Sequence, residues 1–194
     1  TDMSIVPSTL QKDTILTALL SLHPAGTHAS CVHMPRTPDQ VAHPSREAYA
    51  AYDPWLVLNL VGGAMLEREQ QEPMGHVHLT GLEWLAILRT GAVGVVACCL
   101  SSHRASLRLY ATKVLGKMYA ALQPTTFREK ELVLLARERI RDTLPPPPPT
   151  SVHGTYEQVL WLPSITTMIA AHALRAIAMP YNLIFPEMLR FLLQ

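Results

Sequence analysis

The stretch SHRASLRLYATKVLGKMYAALQPTTFREKELVLLARERIRDT, residues 102–143, decides the fold class, because it reads as two consecutive amphipathic helices joined by a tight turn. In its first half Leu107, Tyr110, Ala111, Val114, Met118, Ala121 and Leu122 recur at spacings of three and four, which places them on one helix face at about 100° per residue. Arg104, Arg108, Lys113 and Lys117 fall largely off that stripe. Gln123-Pro124 stops the helix, since proline cannot continue the backbone hydrogen-bond ladder. Thr126 and Glu129 stand at capping-box spacing and predict a second helix, with Leu132, Leu135, Ala136 and Ile140 as its apolar stripe. Leu115 and Leu135 are expected core positions. A hairpin of this kind cannot bury its apolar faces alone, which predicts further helices beside it. The expected fold class is all-α: stacked helical hairpins forming a HEAT/armadillo-like α-solenoid segment. The alternative is a hairpin inside an ordinary globular helical domain.

Upstream, Ser101-Ser102 is expected to cap the hairpin. The run from Ala92 to Leu100 is nearly all apolar, and a helix without a polar face sits inside a stack. Gly91 separates it from a helix opened by Thr80 and Glu83, again at capping-box spacing, with Leu82, Leu85, Ala86 and Leu88 apolar. Asp53-Pro54 predicts a helix start, an acidic N-cap followed by proline at the first helical position, leading into Trp55, Leu56, Leu58, Leu60, Val61, Met65 and Leu66. A first helix is expected from about Ser8 to Leu22, ended by His23-Pro24. From Pro24 to Ser45 there is no apolar periodicity, and the composition reads as a loop or linker.

Downstream, Pro145 to Pro149 favours polyproline II and reads as a spacer. A helix is expected from about Pro163 to Ala178, with Pro163 in its first turn, and Pro186 opens a last one. The chain thus divides into an N-terminal helix (1–23), a Pro/His-rich linker (24–45), a helical-repeat segment (46–144), a Pro-rich spacer (145–155) and a C-terminal helical segment (156–194). Its end in an apolar pattern reads as a piece of something longer.

Composition narrows the function classes. A hydrophobic content of 48% argues for a folded core, while a net charge of +1 and a pI near 7.8 limit any nucleic-acid contact to local patches. Three cysteines, two adjacent at Cys98-Cys99 in an apolar run, suggest reduced core thiols and an intracellular home. The longest apolar run is far short of the roughly 20 residues that span a bilayer, so no membrane partner is expected. Cys31, His28, His33 and His43 match no paired zinc-ligand spacing, and His76-Val77-His78 lacks a companion carboxylate motif. No nucleophile elbow, phosphate-cradling glycine loop or His-Glu-x-x-His occurs. The expectation is no catalytic residue, no metal and no cofactor, with a metal-dependent hydrolase as the disfavoured alternative. Arg104, Arg108, Lys113 and Lys117, with no acid interposed, are the candidate RNA-binding residues. The basic side chains of residues 128–141 are interleaved with Glu129, Glu131, Glu138 and Asp142, and are expected to form solvated pairs.

The order of segments carries a resemblance. Asp53-Pro54 with its apolar helix, Leu82 to Leu100, Leu109 to Tyr119 followed by Phe127-Arg128-Glu129-Lys130-Glu131, and above all Leu162-Pro163-Ser164 with Pro180 to Gln194 resemble the C-terminal domain of the large nucleolar pre-ribosomal-associated proteins of the Npa/Urb type. The similarity covers roughly residues 50 to 194, and its motifs are helical packing signatures. Residues 24–45 and 145–149 depart from the family pattern, as insertions or an abridged region. The resemblance implies a long all-helical scaffold of the nucleolus, acting in rRNA processing on early large-subunit precursors (pre-60S particles). Its implied partners are precursor rRNA, small nucleolar RNA, ribosomal proteins and other assembly factors, including a sister scaffold and a DEAD-box helicase. A cytoplasmic helical-repeat adaptor is the alternative of the same fold.

Overall fold

The computed structural model describes residues 12–32, 51–69, 79–143 and 161–193. These residues form nine helices and no strand: α1 (Lys12–Leu20), α2 (Pro24–Val32), α3 (Pro54–Glu69), α4 (Gly81–Thr90), α5 (Ala92–Cys99), α6 (Ala105–Leu122), α7 (Lys130–Asp142), α8 (Ser164–Ile177) and α9 (Phe185–Leu193). The expected helix start at Ser8, the Pro145–Pro149 run and the pair His76 and His78 lie outside the described residues.

The centre is α5. All eight of its residues, AVGVVACC, are buried. It packs most extensively on α8 and also on α3, α2, α6 and α4. The α5–α8 crossing is close because Gly94 faces Ala171: a Cβ on Gly94 would stand 3.0 Å from the Ala171 Cβ. Around this axis α1 lies on α3, while α7 and α9 lie on α8. One apolar core runs from Ile15 to Leu192. The hairpin of residues 102–143 is therefore not the organising element. Its α6 packs on α3 and α5, and its α7 on α8 and α9. The two helices touch each other through side chains, with the Arg137 guanidinium 4.0 Å from the Tyr119 ring centroid. An amphipathic helix needs one side covered; a helix with no polar face needs neighbours all round.

Several local signals are realised. Asp53 Oδ1 accepts from the Trp55 N–H at 3.0 Å, opening α3. At α4 both halves of the capping box form: Thr80 Oγ1 accepts from the Glu83 N–H at 3.3 Å, and Glu83 Oε2 accepts from the Thr80 N–H at 2.7 Å. Gly91 then takes a left-handed conformation, φ +79°, and its N–H donates to the Leu88 carbonyl. Only glycine fits this turn comfortably, since a Cβ would also meet Thr27 Oγ1 at 2.7 Å. On α6 the expected stripe is buried, except that Tyr110 is half-buried.

Other expectations are corrected. Residues 24–32 are helix α2, not loop. Pro24 supplies the first helical position and His23 Nδ1 accepts from the Ala25 N–H at 3.2 Å, so a start exists without an apolar stripe. Ser30 Oγ then donates to the carbonyls of Gly26 and Tyr52, both at 2.9 Å, and tertiary packing on α5 completes the helix. The Thr126–Glu129 capping box does not form, and α7 starts at Lys130 with Glu129 as its N-cap. Residues 125–127 are instead pressed against the start of α4: Thr125 Oγ1 donates to the Leu79 carbonyl at 3.4 Å, and a Cβ on Gly81 would meet Phe127 Cβ at 2.7 Å. The buried stripe of α7 is Val133, Ala136 and Ile140, leaving Leu132 and Leu135 half-buried. Leu115 is likewise half-buried. Pro163 stands before α8 at its N-cap, and α6 begins beyond Ser101-Ser102 with Arg104 as N-cap.

Candidate nucleic-acid interface

The four cations expected to face RNA do not share one stripe. At 100° per residue, Arg104 and Lys113 are half a turn apart and separated by about 13 Å along the axis, while Lys113 and Lys117 stand one above the other. Arg104 is exposed at the N-cap of α6, its N–H donating to Ser102 Oγ at 3.2 Å. Lys113 is exposed and Lys117 is half-buried.

Arg108 is different and corrects the expectation for that residue. It is only 4% exposed. Its Nη1 donates to the Ser102 carbonyl at 2.7 Å and to the His103 carbonyl at 3.1 Å, and its guanidinium stands 5.9 Å from the Trp161 ring centroid. The segment carrying Trp161 is tied down beside it, because the Leu162 N–H donates to the Leu100 carbonyl at 3.3 Å. Arg108 thus braces the α5–α6 turn and the entry to α8. Nothing local in the sequence signals this, since Trp161 is more than fifty residues downstream.

The basic residues after Pro124 are largely engaged in intramolecular contacts. Lys130 Nζ donates to the Gln123 carbonyl at 2.7 Å, Arg139 Nε to the Leu192 carbonyl at 3.3 Å, and Arg141 pairs with Asp142 at 3.1 Å. Arg137 lies over Tyr119, and Arg128 is exposed.

A second basic cluster lies elsewhere, in a small open cleft between α2, α5 and α8. His28 and His172 face each other with ring centroids 5.4 Å apart, and Arg175 and Cys31 also line the cleft. Burial, reinforced by the electrostatic influence of the neighbouring His28 and then Arg175, holds His172 below the usual imidazole pKa. The sequence does not announce this cluster, since His28 falls in the stretch without apolar periodicity and His172 lies on a separate, distant helix. No signal at a separation of 144 residues joins them.

Cys31, Cys98 and Cys99 are buried, the Cys98 thiol donates to the Thr167 carbonyl at 3.8 Å, and burial is the main cause pushing the Cys99 thiol far up. Among the described residues no group of three or more His, Cys, Asp and Glu is placed to hold a metal ion, and no single helix is long and apolar enough to cross a membrane. His33 and His43 lie outside the described residues.

The model of a family described as nucleolar pre-ribosomal-associated protein 1 matches residues 93–194, from the second residue of α5 through α9. No curated protein and no solved structure matches the chain. The matched span takes in α5 from Val93, helices α6 to α9 and all four candidate cations, whereas α1 to α4, including the Asp53-Pro54 helix, lie outside it.

Proposed function

The chain belongs to the nucleolar pre-ribosomal-associated protein 1 family, and from that premise we propose that it is a non-catalytic scaffold segment acting on early large-subunit precursors. It is a nucleolar protein associated with ribosome biogenesis. The family match over α5 to α9 carries the reading. In it, helix faces hold precursor rRNA, small nucleolar RNA, ribosomal proteins and assembly factors, among them a sister scaffold and a DEAD-box helicase, in a helical stack of the HEAT/armadillo sort. Phosphate contact falls to Arg104, Lys113 and Lys117, with Arg108 holding the turn from which Arg104 projects. Such contacts are sequence-independent and weaken as salt rises.

The test is sedimentation of the tagged full-length protein from nucleolar extract, with and without RNase. Co-migration with large-subunit precursors that RNase abolishes is the expected result; migration as free protein in both conditions overturns the reading. Crosslinking of precursor RNA to wild type and to an Arg104→Gln, Lys113→Gln, Lys117→Gln variant tests the surface. Unchanged yield and salt dependence would assign these side chains to solvent or a protein neighbour.

A further inference from the structure

The cleft between α2, α5 and α8 brings one guanidinium and two imidazoles together. Arg175 projects from the last turn of α8, one turn after His172, and its Nε is buried with no hydrogen-bond partner among the described residues. His28 reaches the same space from α2, and Gly91 and Gly94 of the α4–α5 corner form part of the wall. Among the described residues no Asp or Glu lines the cleft, and neither Arg175 nor either imidazole is paired with a carboxylate. From α4, which also touches α2 and α8, Arg89 is already engaged, its Nε donating to the Ala178 carbonyl at 3.0 Å.

We propose that this cleft binds one backbone phosphodiester of single-stranded RNA, with Arg175 as the charged contact, His172 as an N–H donor and the exposed His28 ring as a stacking face for the adjoining base. The charge count selects the ligand. A phosphodiester carries one negative charge, whereas a phosphoserine or phosphothreonine carries about −1.5 to −2 at neutral pH. Among the described residues that line the cleft the permanent cation is a single guanidinium, whose fork suits phosphate oxygens. His172 is held towards its neutral form by burial and its neighbours, so it donates a hydrogen bond without adding a second charge. The exposed His28 imidazole offers the flat surface on which unstacked RNA bases rest. The inference rests on the reading of the chain as an RNA-contacting scaffold and adds a site away from α6.

The experiment measures affinity of the full chain for a short mixed-sequence single-stranded RNA across a salt series, with a phosphoserine peptide as the competing probe. Arg175→Gln is expected to weaken RNA binding about tenfold, the loss of one charge-assisted contact. It also lowers the salt slope by about 0.7, a readout that a purely structural role would leave in place. Arg175→Lys restores the slope. His28→Ala, at an exposed position that folding tolerates, weakens binding about fivefold or more. Wild-type affinity and slope in both Arg175→Gln and His28→Ala, alongside weakened binding when Arg104, Lys113 and Lys117 are changed, overturns the cleft site and leaves the wider reading standing. No RNA binding by wild type overturns both. Tighter binding of the phosphoserine peptide than of RNA replaces the proposal with a phosphoprotein site.

Discussion

Two consecutive helix pairs, α4–α5 and α6–α7, look alike in the sequence and do opposite work in the fold. The first is bent by 64° at Gly91 and sends α5 into the middle of the molecule, where every residue is buried. The second has the cleaner amphipathic pattern, yet each of its helices leans on different partners and keeps one side in solvent. A strong periodic signal marks a helix at the boundary of a core, because periodicity is the trace of having two environments. The element at the centre has one environment and therefore no period. What organises this chain is its least patterned helix.

The largest effect expected from this contrast is a charge placed in each pair. Val96 is fully buried in α5, so Val96→Asp leaves an uncompensated carboxylate in the core, at a cost of about 3 to 5 kcal/mol. Against a typical stability of about 5 to 15 kcal/mol this is a large fraction of the whole and lowers the urea midpoint markedly. Leu109→Asp on α6, where Leu109 is 37% exposed, is expected to shift the midpoint by less than about 1 kcal/mol. Equal losses at the two sites would dissolve the distinction between centre and boundary.

Arginines on α6 sharpen the same contrast at a smaller scale. Arg108→Ala removes the donor to the Ser102 and His103 carbonyls and the cation over Trp161, an expected loss of about 2 kcal/mol. Arg104→Ala removes an exposed side chain and should stay within about 0.5 kcal/mol. Thermal melts separate them. If Arg108→Ala were neutral, its burial would be incidental and its guanidinium would return to the candidate RNA surface.

How far the sequence could be read follows from where each signal resides. The starts of α3 and α4 and the break at Gly91 were legible because a cap, a proline or a glycine acts within one turn of chain. Helix α2 was not, since Pro-Ala-Gly-Thr-His carries no stripe and its helix depends on Tyr52 and α5, supplied from elsewhere. The candidate site divides in the same way. Arg104 and Lys113 were placed correctly at the surface by their position off the stripe, whereas Arg108 was misplaced because Trp161 arrives from beyond the proline run. The His28–His172 cleft was invisible for the same reason. Spacing along the chain says nothing about two helices that meet only after the core has closed.

Leucines on the boundary pair give the next test. Leu115→Ala and Leu135→Ala would cost about 2 to 5 kcal/mol each if fully buried, but both side chains are half-buried, which reduces the expected loss to about 1 to 2 kcal/mol. Val133, at 2% exposure, is the better core position of α7 despite its smaller side chain. Denaturant midpoints for Leu135→Ala and Val133→Ala should therefore lie close together. A Leu135→Ala loss above about 3 kcal/mol would restore the stripe read from the leucine spacing.

The smallest effect separates two identical local signals, Thr80 with Glu83 and Thr126 with Glu129. The first pair closes both hydrogen bonds of a capping box on α4; the second closes neither, because residues 125–127 are held against Leu79 and Gly81 and helix α7 starts only at Lys130. Thr80→Ala is accordingly expected to cost about 1 kcal/mol, the usual value of an N-cap oxygen. Thr126→Ala should fall within about 0.3 kcal/mol, since its side chain is exposed and caps nothing. Hydrogen exchange locates the difference as well as its size. Thr80→Ala should speed exchange of the Glu83 amide, whose acceptor is the threonine oxygen, and Thr126→Ala should leave the first turn of α7 unchanged. A loss of about 1 kcal/mol at Thr126 would mean that α7 begins where the sequence spacing places it, and that the contact with the α4 start does not set the register of the second pair.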